Sequence, residues 1–123
     1  MARILVADDE ESVRSFVTRA LEHMGHAVDA VADGGAALQR VSEQNYDLLL
    51  TDIVMPVMDG ISLALKLSAM QPDLKILLMT GYAKEQQRAH NLEEIIHDVI
   101  SKPFTMEELG KAVNAALDSA APQ

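Results

Sequence analysis

The stretch Leu48–Pro56, which reads LLLTDIVMP, decides how the rest of the chain is interpreted. An apolar run ends in one carboxylate, Asp52, and Pro56 follows four residues later. Such a run is typical of a strand that is buried on both faces of a parallel sheet. The strand delivers Asp52 to its carboxyl end, and Pro56 and Gly60 predict the loop by which the chain leaves the sheet. In open parallel sheets, ligands bind in the crevice beyond these strand ends.

Apolar runs and helical periodicity alternate along the whole chain. The predicted strands cover residues 4–7, 27–31, 47–51, 75–80 and 98–101. The predicted helices cover about residues 13–24, 36–41, 61–70, 83–91 and 106–117. The third helix is apolar on nearly all sides, so we expect it to be well buried. The alternation predicts an α/β fold with a parallel sheet between two layers of helices. We expect one domain over residues 1–119 and a flexible C-terminal tail over 120–123.

The composition excludes several classes of function. A net charge of −9 argues against a nucleic-acid partner. No apolar stretch approaches the length needed to span a membrane, and no apolar leader precedes the first strand. The absence of cysteine excludes thiol catalysis and thiolate metal sites, and it suits a cytoplasmic location.

Polar groups follow four of the five predicted strands. Asp8 and Asp9 follow the first strand, Asp52 the third, Thr80 the fourth and Lys102 the fifth. The carboxyl ends of parallel strands share one edge, so these groups should converge there. Three adjacent carboxylates repel one another, and a positive group must offset that repulsion. Lys102 is one candidate, and a hard divalent cation such as Mg²⁺ is another. A carboxylate with a hydroxyl, an ammonium and a metal beside it is suited to receive a phosphoryl group as an acyl phosphate.

The sequence resembles the receiver domains of bacterial response regulators, the CheY-like domains, over nearly its whole length. The matching motifs are ILVADD at residues 4–9, DIVMP at 52–56, DG at 59–60, MTG at 79–81 and SKPF at 101–104. The resemblance implies a flavodoxin-like sheet of five parallel strands in the order 2-1-3-4-5, flanked by five helices.

The resemblance also implies a role for each matching residue. Asp52 is the phosphoacceptor, with Mg²⁺ as cofactor. Asp9 and Asp52 bind the metal directly, Asp8 acts through a metal-bound water, and Val54 offers its backbone carbonyl. Thr80 senses the phosphoryl group and Lys102 pairs with it. The donor is implied to be a phosphohistidine on a histidine kinase or a histidine phosphotransfer protein.

One position departs from the family pattern. Most members carry Tyr or Phe three residues before the lysine, where this chain has Val99. An aromatic side chain occurs instead at Tyr82, two residues after Thr80. We therefore expect Thr80 and Tyr82 to carry the conformational switch in place of Val99. The alternative is a static surface tyrosine that only limits the access of water.

The resemblance points to a signalling domain and not to an enzyme that turns over a substrate. The chain ends after its fifth helix, as in a single-domain regulator of alphaproteobacteria whose unphosphorylated form assists a regulated protease. That similarity implies a downstream protein partner and a role as regulator or adaptor of a protease in cell-cycle control. Two alternatives remain: a metal-dependent phosphatase with an aspartyl nucleophile, and a non-phosphorylated receiver that acts as a protein-binding module. A phosphatase of this type usually has a general acid two residues after the nucleophile, and this chain has Val54 at that position.

Overall fold

A computed structural model describes residues 2–90, 92 and 95–118, apart from the side chains of residues 83, 86 and 90. The strands are β1 (Arg3–Ala7), β2 (Ala27–Val31), β3 (Leu48–Asp52), β4 (Lys75–Thr80) and β5 (Asp98–Ser101). The helices are α1 (Glu11–His23), α2 (Gly34–Glu43), α3 (Gly60–Met70), α4 (Ala83–His90) and α5 (Met106–Asp118). The predicted tail over residues 120–123 and the predicted domain boundary at residue 119 lie outside the described residues. None of the described helices is long and apolar enough to cross a membrane.

The five strands form one parallel sheet in the order β2-β1-β3-β4-β5, as the resemblance predicts. β3 lies at its centre, and all five of its residues are buried. Leu49 packs into the apolar cluster that α2, α3 and α4 share, whereas Leu48 and Leu50 pack into the cluster formed with α1 and α5. Burial on both faces explains why the apolar run in β3 is continuous instead of alternating.

Side-chain caps fix where three helices begin. Asp33 accepts a hydrogen bond from the backbone N–H of Ala36 at the start of α2. Asp59 caps α3 in the same way, 2.8 Å from the N–H of Ser62. Before α5, Thr105 and Glu108 form a reciprocal capping box, in which each side chain accepts from the other's backbone N–H. The caps of α3 and α5 set the ends of the loops that carry Val54 and Lys102.

The expectation that α3 is well buried is wrong for one of its faces. Ile61, Leu63 and Leu67 are buried, but Leu65 and Met70 are 50% and 53% exposed. α3 lies on the outside of the sheet, so it covers the core with one face only. The apolar surface of α3 is larger than the area that the sheet and α2 cover, so part of that surface remains exposed.

Few of the described side chains of α4 are buried. Ala89 is the only buried side chain among those described in this helix. Arg88 pairs with Glu85 in the same helix and lies 3.6 Å from the carboxylate of Asp59, the α3 cap. Exposed ion pairs of this kind contribute only about 0.2–1 kcal/mol each. Among the side chains that the structure describes, α4 therefore contributes fewer buried apolar residues than any other helix.

We expect the amide protons of α4 to exchange with solvent before those of the other helices, because local opening exposes little apolar surface. Hydrogen exchange followed by mass spectrometry measures this peptide by peptide. α2 is a matched control, since it is a short helix with a side-chain cap and with Ala37 and Val41 buried. Protection of α4 equal to that of α2 would contradict the expectation.

Candidate phosphoryl and metal site

The register of the sheet brings the predicted polar residues together at one edge. Asp52 ends β3 opposite Met79, and Thr80 ends β4 opposite Ser101 of β5. Asp8 and Lys102 come directly after β1 and β5. The predicted convergence at the carboxyl edge is therefore found in the structure.

Three carboxylates form the acidic part of the site. One oxygen each of Asp8, Asp9 and Asp52 lies within 4.8 Å of the others. Asp8 is fully buried and Asp52 is 6% exposed, whereas Asp9 is exposed. Carboxylate oxygens are the ligands that Mg²⁺ and Ca²⁺ prefer, so this donor set fits a hard divalent cation.

Lys102 is the ammonium that faces these acids. Its Nζ lies 2.9 Å from Asp8 Oδ2, to which it donates a hydrogen bond, and 3.3 Å from Asp52 Oδ2. Burial disfavours the charged form of Lys102, but the hydrogen bond to Asp8 and the charge on Asp52 outweigh it and raise its pKa. Lys102 therefore remains a cation beside Asp8 and Asp52.

The carboxyl group of Asp52 is a weaker acid than that of an ordinary aspartate. Burial raises its pKa to about 6; the charge of Lys102 opposes this shift and the charge of Asp8 adds to it. Its Oδ1 accepts a hydrogen bond from the N–H of Ile53, 2.9 Å away. The carboxylate is thus mostly ionised at pH 7, and Lys102 offsets only part of the cost of burying its negative charge. Such a carboxylate is suited to act as a nucleophile.

Thr80 and Tyr82 are joined by one hydrogen bond. The backbone N–H of Tyr82 donates to the buried hydroxyl oxygen of Thr80 over 3.0 Å. Tyr82 is 64% exposed and lines the groove beside the site. Val99 lies elsewhere, partly buried against the apolar cluster under α2, α3 and α4. The structure therefore connects Thr80 to Tyr82, and places Val99 outside the residues that line the groove.

A groove of about 610 Å³ leads away from the carboxylates. Asp9, Asp52 and Lys102 line its polar end, and Val54 and Tyr82 border it. An aromatic wall of the groove consists of Phe16 on α1 and Phe104 after β5, whose ring centroids are 6.3 Å apart. Helical periodicity places Phe16 on the inner stripe of α1, yet the residue is 40% exposed. The aromatic wall escapes sequence analysis because the two rings lie far apart in the chain.

Comparison with known proteins identifies the family. Residues 4–114 match the response regulator receiver domain. The chain belongs to this family. Receiver domains are signalling modules of two-component systems, and they bind Mg²⁺ at an acidic pocket of this kind. The predicted fold class and family are both confirmed.

Two curated relatives and one solved structure illustrate the similarity. The chain is 40% identical to the response regulator receiver protein CpdR of Brucella abortus, covering 98% of this chain and 100% of that protein. The predicted resemblance to a single-domain regulator of alphaproteobacteria is therefore confirmed. Response regulator MprA of Mycobacterium avium is 34% identical over 98% of this chain, which spans about half (53%) of MprA. The Thermotoga maritima response regulator TrrA, solved in complex with Mg²⁺-BeF, superposes with a TM-score of 0.87 at 32% identity, covering 95% of this chain and all of TrrA.

Proposed function

We propose that the chain is a phosphoacceptor receiver that takes a phosphoryl group from a phosphohistidine onto Asp52 and thereby changes its affinity for a partner protein. The observation that carries this proposal is the contact geometry of Asp52. A buried carboxylate with a raised pKa lies 3.3 Å from a lysine ammonium and within 4.8 Å of two further acids. Such a cluster is costly for folding and is typical of a functional site.

The carboxylates supply the proposed Mg²⁺ site. Asp9 and Asp52 would bind the ion directly, the backbone carbonyl of Val54 would complete the protein ligands, and Asp8 would act through a bound water. When bound, Mg²⁺ neutralises negative charge on the phosphoryl oxygens. The exposed position of Asp9, beside the buried Asp8, leaves the ligand oxygens accessible from the groove.

In the proposed transfer, a carboxylate oxygen of Asp52 attacks phosphorus as the phosphorus–nitrogen bond to the donor imidazole breaks. The bonding electrons leave with the imidazole, and an acyl phosphate forms on Asp52. Lys102 would pair with one phosphoryl oxygen, exchanging its present contact with Asp52 for one with the new anion. The Thr80 hydroxyl would donate to another.

The phosphodonor is proposed to be a histidine kinase or a histidine phosphotransfer protein, and the exchange is proposed to occur in the cytoplasm. The aromatic wall of Phe16 and Phe104 offers apolar surface to this donor protein, in the same groove as the carboxylates.

The similarity to CpdR further supports a single-domain regulator with a downstream protein partner, a protease or its adaptor. α4, β5 and α5 are proposed as the output surface, because α4 contributes only one buried apolar residue among its described side chains.

Incubation with acetyl phosphate and Mg²⁺ separates this function from its two alternatives. A receiver gains one phosphoryl group per chain, seen as an added mass, and releases it slowly. A parallel incubation with a small phosphate ester tests for a metal-dependent phosphatase, which would release phosphate from it continuously. A protein-binding module without phosphoryl chemistry gains no mass, and either of these last two outcomes would contradict the proposal.

Tyr82 is proposed to carry the conformational change. Movement of the Thr80 hydroxyl toward a phosphoryl oxygen would weaken its contact with the Tyr82 N–H and so alter the loop before α4. Gly81 between them tolerates backbone change. The large, amphipathic ring of Tyr82 suits two alternative packings.

We expect Tyr82→Ala to accept phosphate from acetyl phosphate at a rate within about twofold of wild type, but to lose most of the phosphorylation-dependent change in hydrogen exchange of α4. Tyr82→Phe is the matched control, because it keeps the ring and removes only the hydroxyl. If Tyr82→Ala retains the full exchange response, the switch lies elsewhere and the ring is a static surface group.

A further inference from the structure

Arg14 reaches back from α1 to the acidic end of the site. It lies in the first turns of α1, and its Nη1 donates a hydrogen bond to the backbone carbonyl of Asp8 over 2.8 Å. Asp8 is fully buried, and its carbonyl lies between β1, which ends at Ala7, and α1, which begins at Glu11. A buried carbonyl that loses its donor destabilises the folded state. Arg14 therefore holds the link between strand and helix.

The remaining polar atoms of Asp8 are also engaged. Its N–H donates to Val31, its Oδ1 accepts from the N–H of Glu10 at 2.9 Å, and its Oδ2 accepts from Lys102. The carbonyl that Arg14 binds and the N–H of Asp9 belong to one planar peptide unit. Fixing that carbonyl therefore fixes the direction in which the chain enters Asp9.

Asp9 depends on this backbone constraint. Within the part of the chain that the structure describes, its exposed carboxylate has no hydrogen-bond or ion-pair partner. Its position beside the oxygens of Asp8 and Asp52 is thus set by its backbone and not by contacts of its own.

We propose that Arg14 is a positioning residue of the divalent-cation site, which sets the affinity for Mg²⁺ by fixing the Asp8–Asp9 peptide and hence the Asp9 carboxylate. This inference rests on the proposed Mg²⁺ site. Loss of groups that orient metal ligands typically lowers metal affinity by about 10–100-fold. Arg14 acts through the backbone and not on a ligand atom, so the lower end of that range applies.

The experiment is a calorimetric titration of the metal-free protein with Mg²⁺ at pH 7.5, with the melting temperature of every variant measured alongside. Arg14→Gln removes the positive charge and shortens the side chain, so that it no longer extends to the Asp8 carbonyl. It should weaken Mg²⁺ binding by about tenfold. Arg14→Lys retains one donor and the charge and should recover most of the affinity, within about threefold of wild type. Arg19→Gln is the matched control, because Arg19 is an exposed arginine on the same helix whose loss changes the net charge equally.

Weakening in Arg14→Gln, recovery in Arg14→Lys and near-wild-type affinity in Arg19→Gln support the proposal. A purely structural role would lower the melting temperature of Arg14→Gln and leave its Mg²⁺ affinity within twofold of wild type, which would overturn it. Equal weakening in Arg19→Gln would show that net charge alone is responsible and would also overturn it.

If Arg14→Gln fails to fold, the Mg²⁺ affinities of Arg14→Lys and Arg19→Gln are compared instead. Arg14→Lys must then bind Mg²⁺ about two- to threefold more weakly than Arg19→Gln, and equal affinities would overturn the proposal. Failure of the wild type to bind Mg²⁺ is a distinct result, since it would remove the proposed function itself.

Discussion

Asp52→Asn is expected to gain no phosphoryl group from acetyl phosphate under conditions in which the wild type is largely modified. The amide has almost the shape of the carboxylate and keeps an oxygen that can accept from Ile53, so the fold should persist. It lacks the anionic oxygen that would attack phosphorus, and it supplies one fewer charge for Mg²⁺. Intact-mass spectrometry over time measures the effect, which should be a loss of more than about 100-fold in rate.

Asp73→Asn is the control for this experiment, because it removes an exposed acid from the loop between α3 and β4. It should be phosphorylated like the wild type. Asp9→Ala should be nearly as inactive as Asp52→Asn, since a proposed metal ligand is lost although the acceptor remains. Phosphorylation of Asp52→Asn at the wild-type rate would end the assignment of Asp52.

In the absence of metal, Asp52→Asn is also expected to be more stable than the wild type at pH 7, by about 2–3 kcal/mol. Burial raises the pKa of Asp52 from 3.8 to about 6, so ionising it costs the folded state about 3 kcal/mol. The asparagine carries no such cost, and the raised pKa of Asp52 already includes the opposing attraction to Lys102. For a domain of this size the expected rise in melting temperature is about 10 °C.

The sign of the pH dependence follows from the same pKa. Between about pH 4 and pH 6 the folded wild type binds more protons at Asp52 than the unfolded chain does. This stabilising contribution is present below about pH 4 and is lost as the pH rises through about 6. The stability difference between Asp52→Asn and wild type should therefore be large at pH 7 and small at pH 4.

Thermal unfolding in EDTA at both pH values tests this expectation. Added Mg²⁺ should stabilise the wild type at pH 7 and should stabilise Asp52→Asn much less, because the ion binds the folded carboxylates. A difference between the two proteins that is equal at pH 4 and pH 7 would show that the effect does not arise from ionisation of Asp52.

The central strand and its chemistry were predictable because both leave a signal in a single stretch of sequence. The run at residues 48–51 must be buried on both faces, and Asp52 must then lie at the strand end. The same reasoning applied to β4 places Thr80 correctly. Strand ends converge by topology alone, so the meeting of Asp8, Asp52 and Lys102 needed no knowledge of side-chain conformations.

Other features depended on geometry that sequence patterns do not encode. Apolar content indicates that α3 prefers burial, but it does not show how much surface the sheet has left to cover, and Leu65 therefore remains half exposed. Arg14 gives no signal, since its partner is a backbone carbonyl that every residue carries. The pairing of Phe16 with Phe104 arises only when α1 and the loop after β5 are placed side by side.

The most direct measurement of the central claim is chemical mapping of the phosphorylated residue. The wild type, treated with acetyl phosphate and Mg²⁺, is reduced with borohydride, which converts an aspartyl phosphate to homoserine, and is then digested and sequenced by mass spectrometry. The proposed function predicts homoserine at position 52 and at no other aspartate. Homoserine at Asp8, Asp9 or another position, or its absence from a protein that binds Mg²⁺, would contradict the proposal that Asp52 is the phosphoacceptor.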